Sequence, residues 1–152
     1  MRSYPLYRAL RADKLRLAAL EATLETYARD ASVNELPTHR AIACTASEIK
    51  ERANELINRL HNEKIDEAFT LETVDGESAS GGGSAPTSRL PTVLISLTHK
   101  TLTPNQIEVA LRRSSPPVIA RIVDDRVLLD LRTVAESEEP ELEQALLSLS
   151  DG

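Results

Sequence analysis

Leu17, Leu20, Leu24 and Tyr27 recur at steps of three and four residues, the spacing of one helix face. The stretch 8–27 around them is the longest periodic helical pattern in the chain. Ala18, Ala19, Ala22 and Ala28 raise its helix propensity and allow close packing. Asp13 is placed to cap its start, after an extended lead-in through Pro5 and Tyr7. Residues 30–38 read as a connector closed by Pro37. Thr45-Ala-Ser-Glu48 is a capping box, and Ile49, Ala53, Leu56 and Leu60 give the apolar stripe of a second helix. Its other side is charged, so it should lie on a core and face water.

Beyond residue 64 the period changes. Phe69 and Leu71 alternate with Thr and Glu, and Val74 falls out of phase, which predicts a half-exposed strand over 65–74. Residues 75–89 are rich in Gly, Ser, Ala and Pro and read as a long loop between two strands. The β-branched run 92–98 predicts the next strand. Thr103, Pro104 and Gln106 form a second capping box with Pro at the first helical position, followed by Ile107, Ala110 and Leu111 inward. Residues 118–123 and 126–131 predict a hairpin about Asp124-Asp125. A two-residue turn there pairs Ile122 with Val127, Ala120 with Leu129 and Val118 with Leu131 on one face. The other face carries Arg121 opposite Leu128, with Asp130 on the diagonal. A last helix over 139–149 turns Leu142, Leu146 and Leu149 inward, and its acidic first turn suits the helix dipole. Hairpin-joined strands covered by helices predict an α+β fold.

Composition narrows the function classes. At 152 residues, 41% of them hydrophobic, the chain can build a real core. Aromatics are 3% with no Trp, and the net charge is −6, which argues against bulk electrostatic or stacking capture of RNA by this chain. The charge is uneven: Arg2, Arg8, Arg11, Lys14 and Arg16 crowd the start, and Glu136, Glu138, Glu139, Glu141 and Glu143 crowd the end. Cys44 is the single cysteine, so an intrachain disulfide and a Cys-based zinc site are excluded. His39, His61 and His99 lack metal-ligand spacing, and no metal site is expected. Cys44 stands just before a helix, where a dipole could acidify its thiol; a buried inert cysteine is the simpler reading. No signal peptide pattern or membrane-spanning run is present, and a soluble cytoplasmic protein is expected.

Three places could carry chemistry. Arg8 and Arg11, with Lys14 following, bring like charges together on a helix, an arrangement that suits an oxyanion or a solvated basic helix start. Arg121 stands within a strand of Val, Ile and Ala, where its charge needs a partner, and Asp130 across the hairpin is one. Gly81, Gly82 and Gly83 allow backbone to approach a ligand closely, although neither a strand-to-helix context nor a following Lys makes them a phosphate loop. A plain flexible loop satisfies the same residues.

Four motifs, RALRADKLRLAALEATLETY at 8–27, SASGGGSAPTSRLPTV at 78–93, SPPVIARIVDDRVLLDLRTV at 115–134 and EEPELEQALLSL at 138–149, resemble the bacterial L-seryl-tRNA(Sec) selenium transferase (selenocysteine synthase) family in order and spacing. The resemblance implies the small C-terminal domain of a fold-type-I enzyme dependent on pyridoxal 5'-phosphate (PLP), preceded by a long linking helix. Residues 1–44 would be that helix and its connector, at the end of the large-domain region. Residues 45–152 would be the small α/β domain, with the Gly/Ser-rich loop at 75–89.

Function follows by the same resemblance. The full enzyme converts seryl-tRNA(Sec) to selenocysteyl-tRNA(Sec), losing water from the seryl group and adding selenium from selenophosphate. It assembles as a ring of dimers, with no membrane partner. Arg8 and Arg11 would bind the selenium-donor anion, Arg121 would contact a substrate carboxylate, and Gly81–Gly83 would lie near the active-site mouth. PLP chemistry needs a Schiff-base lysine, which in this family follows Gly-Asp upstream of the segment matching Tyr4. Lys14, Lys50, Lys64 and Lys100 have no such context. No catalytic residue is therefore expected in this chain, which reads as a fragment that holds no PLP and is inactive alone. A related PLP-dependent lyase and a non-catalytic interaction module remain as alternatives.

Overall fold

A computed structural model describes residues 12–63, 65, 68–79 and 89–149. The chain divides into two compact units, Met1–Ala43 and Cys44–Gly152. Arg8, Arg11, Lys64 and Gly81–Gly83 lie outside the described residues.

In the first unit, helix α1 (Lys14–Ala28) starts where Asp13 accepts the Arg16 amide at 2.9 Å. Asp30 ends it in the left-handed region, φ 53°, so that the Asp30 and Ala31 amides reach the Tyr27 and Thr26 carbonyls. Asp substitutes here for the usual glycine of this stop. Leu17, Leu20, Leu24 and Tyr27 do share a face, and all four are exposed. The expected connector instead holds two short helices, α2 (Ser32–Glu35) and α3 (Pro37–Ala43). Pro37 opens the second of these, since proline at a first helical position gives up no hydrogen bond.

The second unit is an α+β fold with a four-stranded antiparallel sheet, in the order β1-β2-β4-β3. Helix α4 (Ala46–Asn62) begins at the Thr45/Glu48 capping box and buries Ile49, Ala53, Leu56, Ile57 and Leu60. These pack with Phe69, Leu71, Ile95, Leu97, Val127 and Leu129 on one face of the sheet. Helix α5 (Pro104–Arg113) adds Ile107 and Leu111, and helix α6 (Glu139–Leu147) adds Leu142, Ala145 and Leu146. The Glu139 carboxylate, itself buried, joins α6 to α4 through Arg52 at 2.8 Å and Arg59 at 3.1 Å.

Two strand expectations change. Strand β1 runs from Phe69 to Ala79 and β2 from Arg89 to His99, so residues 75–79 and 89 of the expected loop are paired sheet, and 80–88 lie outside the described residues. Tertiary pairing outweighs the turn-like composition here, and Gly76 has a packing reason. A Cβ on Gly76 would stand 2.6 Å from Leu94 Cδ1, so the missing side chain lets Leu94 lie across β1 and be buried. The second hairpin is shorter than expected. Strand β3 is only Arg121–Val123 and β4 is Arg126–Asp130, joined through Asp124 and Asp125 with positive φ. Ile122 pairs with Val127 and Arg121 with Leu128, but the Ala120–Leu129 and Val118–Leu131 pairs are not made. Behind Pro116 and Pro117, the Val118 amide turns to the Leu111 carbonyl, and Leu131 opens a 3₁₀ turn (Leu131–Thr133) capped by Asp130.

Candidate functional site at Arg121 and Asp130

The sheet has a second face. Arg121 stands opposite Leu128 on β3/β4, Asp130 opposite Leu94 on β4/β2, and Thr92 opposite Gly76 on β2/β1. Alternation places Gly76 and Ser78, Thr92 and Leu94, and Leu128 and Asp130 on one side, away from the helix-covered core. Strand β1 is not a neighbour of β4, yet the Ser78 hydroxyl donates to Asp130 Oδ2 at 2.6 Å. The end of β1 around Ser78 therefore curls over β2 to reach the end of β4.

Asp130 is the centre of this face. Its Oδ1 accepts from Thr92 Oγ1 at 3.0 Å and from the Arg132 amide at 3.1 Å. Its Oδ2 accepts from Ser78 and faces the Arg121 guanidinium at 3.8 Å. Arg121 also reaches the Glu77 carbonyl at 3.4 Å and is half exposed. Below them Arg132 is buried. Its Nε donates to Ser78 Oγ at 3.1 Å, its Nη1 to the Cys44 carbonyl and its Nη2 to the Pro91 carbonyl, both at 2.6 Å. Among the described residues, no buried side-chain polar atom lacks a hydrogen-bond partner.

This arrangement favours anion recognition over acid–base chemistry. The Ser78 hydroxyl gives its proton to Asp130 and accepts from Arg132, so it orients and does not attack. Asp130 is held by three short hydrogen bonds, and Arg121 is its longest contact. Arg121 can therefore turn to another anion without leaving the carboxylate unpaired.

The sequence candidates separate. Arg121 and Asp130 meet as the cross-strand diagonal requires. Among the described residues there is no cluster that could hold a metal ion. His99 accepts the Thr101 and Leu102 amides at Nδ1 and caps the turn after β2, while His39 meets Tyr27 at 2.6 Å. Cys44 is half-buried against the core. Arg132, Ser78 and Thr92 were not singled out by the sequence reading. The signal for Arg132 is its place in the run Leu129-Asp130-Leu131-Arg132, where an arginine shares a buried stretch with one carboxylate. Ser78 was hidden by the loop-like composition around it, and Thr92, at the start of the expected 92–98 strand, carries no signal of its own.

The described lysines offer no enclosed site for PLP. Lys14, Lys50 and Lys100 are exposed, on the first turn of α1, on α4 and just after β2. None of these three has the enclosed surroundings of a Schiff-base lysine. No helix among the described residues is long and apolar enough to cross a membrane.

A family model described as SelA, L-seryl-tRNA selenium transferase, matches residues 1–135. The L-seryl-tRNA(Sec) selenium transferase of Alkaliphilus metalliredigens is 40% identical over 139 residues, covering 91% of this chain and 29% of the relative. That of Geobacter sulfurreducens is 38% identical over 151 residues, covering 99% and 32%. That of Moorella thermoacetica is 39% identical over 153 residues, covering 100% and 32%. The chain thus spans about a third of the length of these curated relatives. With the match running through both units and past the 3₁₀ turn at Leu131–Thr133, the chain belongs to the L-seryl-tRNA selenium transferase family.

Proposed function

We propose that this chain is the C-terminal α+β portion of a fold-type-I, PLP-dependent selenium transferase that makes selenocysteyl-tRNA(Sec) from seryl-tRNA(Sec) and selenophosphate in the cytoplasm. The observation that carries this reading is the family match over residues 1–135, which covers the basic start, the curled sheet and the Arg121 hairpin together. In this reading, Met1–Ala43 contributes the linking helix and Cys44–Gly152 the small domain. PLP, where the complete enzyme holds it, serves as the electron sink that allows the seryl hydroxyl to leave. The Schiff-base lysine then belongs to the other part of the enzyme, and this chain alone does not turn over substrate. The complete enzyme works as a ring of dimers.

This chain's share is electrostatic. Arg8 and Arg11 present two guanidinium groups to the anionic selenium donor. Gly81–Gly83 contribute loop backbone at the mouth of the site. The role of Arg121 separates two readings. A lyase acting on a free amino acid presents a carboxylate for Arg121 to hold. In seryl-tRNA the same carboxyl is an ester without charge, so Arg121 would meet a phosphate of the tRNA instead. The half-exposed guanidinium of Arg121 is compatible with either anion, and the family match favours the transferase.

Sequencing the DNA upstream of the Met1 codon tests the assignment. An in-frame extension encoding a Gly-Asp-Lys cofactor site is expected. A stop codon close upstream, with no neighbouring frame for the rest of the enzyme, would instead support a non-catalytic module.

A further inference from the structure

We infer that Arg132 is a positioning residue for Arg121, acting through Ser78 and Asp130. The functional consequence rests on the reading of Arg121 as an anion-binding residue; the positioning itself does not. A serine hydroxyl has one proton to give. Arg132 Nε occupies the acceptor side of Ser78 at 3.1 Å, which turns that proton toward Asp130 Oδ2 at 2.6 Å. Asp130 Oδ2 is the oxygen that faces Arg121. The Arg132 amide meanwhile holds Asp130 Oδ1 at 3.1 Å, so one residue governs both carboxylate oxygens.

The same guanidinium takes the carbonyls of Cys44 and Pro91. It therefore ties the first residue of the second unit and the start of β2 to the end of β4. Ser78 and Pro91 belong to β1 and β2, so one side chain holds the paired ends of these two strands. Lysine could not reproduce this, because one ammonium on a flexible stem cannot hold three acceptors arranged around a planar fork. The path from Arg132 to Arg121 runs through Ser78 and Asp130, so the effect on that site is indirect.

The test uses the 152-residue chain with ¹⁵N-labelled arginine, as wild type, Arg132→Lys and Ser78→Ala. The readouts are the Arg121 Nε–Hε resonance, amide hydrogen exchange over 76–79 and 89–92, and exchange over helix α4 as an internal control. In both variants the Arg121 resonance is expected to move toward that of an exposed arginine. Exchange over these strand ends is expected to rise about tenfold or more, with α4 unchanged. Ser78→Ala is the milder variant and decides the matter if Arg132→Lys loosens the whole domain. An unmoved Arg121 resonance in a folded Ser78→Ala chain would overturn the relay. Equal acceleration over α4 and the strand ends in Ser78→Ala would also overturn it, since that is general destabilisation. Neither result depends on which anion Arg121 serves.

Discussion

The Ser78 hydroxyl lies 2.6 Å from Asp130 Oδ2, although their strands are separated by β2 in the sheet. A flat sheet could not bring these residues together. The bond records the curl of the end of β1 over β4, and this curl puts Arg121 beside the Glu77 carbonyl. Asp130→Asn keeps the shape but weakens the acceptor for Ser78, Thr92 and the Arg132 amide. A loss of about 1–3 kcal/mol in unfolding free energy is expected from urea melts. An unchanged midpoint would mean that the cluster contributes nothing to stability.

Gly76 stands on the same strand, β1. A methyl group there meets Leu94 Cδ1 at 2.6 Å and Cγ at 3.1 Å. Gly76→Ala should cost about 1–3 kcal/mol by overpacking. Leu94→Val withdraws the contacting carbon, so the double variant should lose less than the sum of the two single losses. Thermal melting of the four proteins measures this coupling, and simple additivity would show that Leu94 is not the obstacle.

Glu139 joins helices α4 and α6 by contacting both Arg52 and Arg59. Glu139 is buried and Arg52 half-buried, which makes the contact more than a surface pair, while Arg59 keeps substantial exposure. Removing the carboxylate in Glu139→Ala leaves Arg52 with the Val134 carbonyl alone among these partners. A destabilisation of about 2 kcal/mol is expected, below the range for a fully buried pair. Denaturant unfolding checks it, and a loss no larger than that of Arg89→Ala, whose pair with Glu77 is exposed, would contradict it.

The start of α4 carries a pH dependence. The Glu48 carboxyl is held below its ordinary range, first by the Thr45 amide and then by the Thr45 hydroxyl. A folded value below the unfolded one means stabilisation that is present above the unfolded value of about 4.3 and lost as pH falls through the folded value. Glu48→Gln should therefore flatten the acid limb of the stability curve and leave the curve near pH 7 parallel to wild type. An identical acid limb in both proteins would remove Glu48 as a contributor. At the other capping box, Thr103→Ala should cost about 1 kcal/mol at every pH tested.

Much of this was legible in the chain because short-range signals agree with the fold. Asp13, Thr45/Glu48 and Thr103/Gln106 cap helices as their spacing demands, and the Asp124-Asp125 turn sets the register of Ile122 and Val127. The Arg121–Asp130 diagonal follows from that register alone. What escaped depends on long-range pairing. Residues 75–79 and 89–91 carry loop composition, and only the partner strand makes them sheet. Residues 118–120 carry strand composition, but the Val118 amide finds its partner on α5. Arg132 is invisible to periodicity because its acceptors, at Cys44, Ser78 and Pro91, come from distant parts of the sequence.

We propose that this chain supplies donor-anion binding to a selenium transferase. The direct measurement replaces the matching third of the Geobacter sulfurreducens relative with this chain and follows selenium transfer from selenophosphate to seryl-tRNA(Sec). Transfer by the chimera is expected, with a fall of about a hundredfold when Arg8 and Arg11 are both changed to Ala. Transfer that survives the loss of both arginines unchanged would contradict the account.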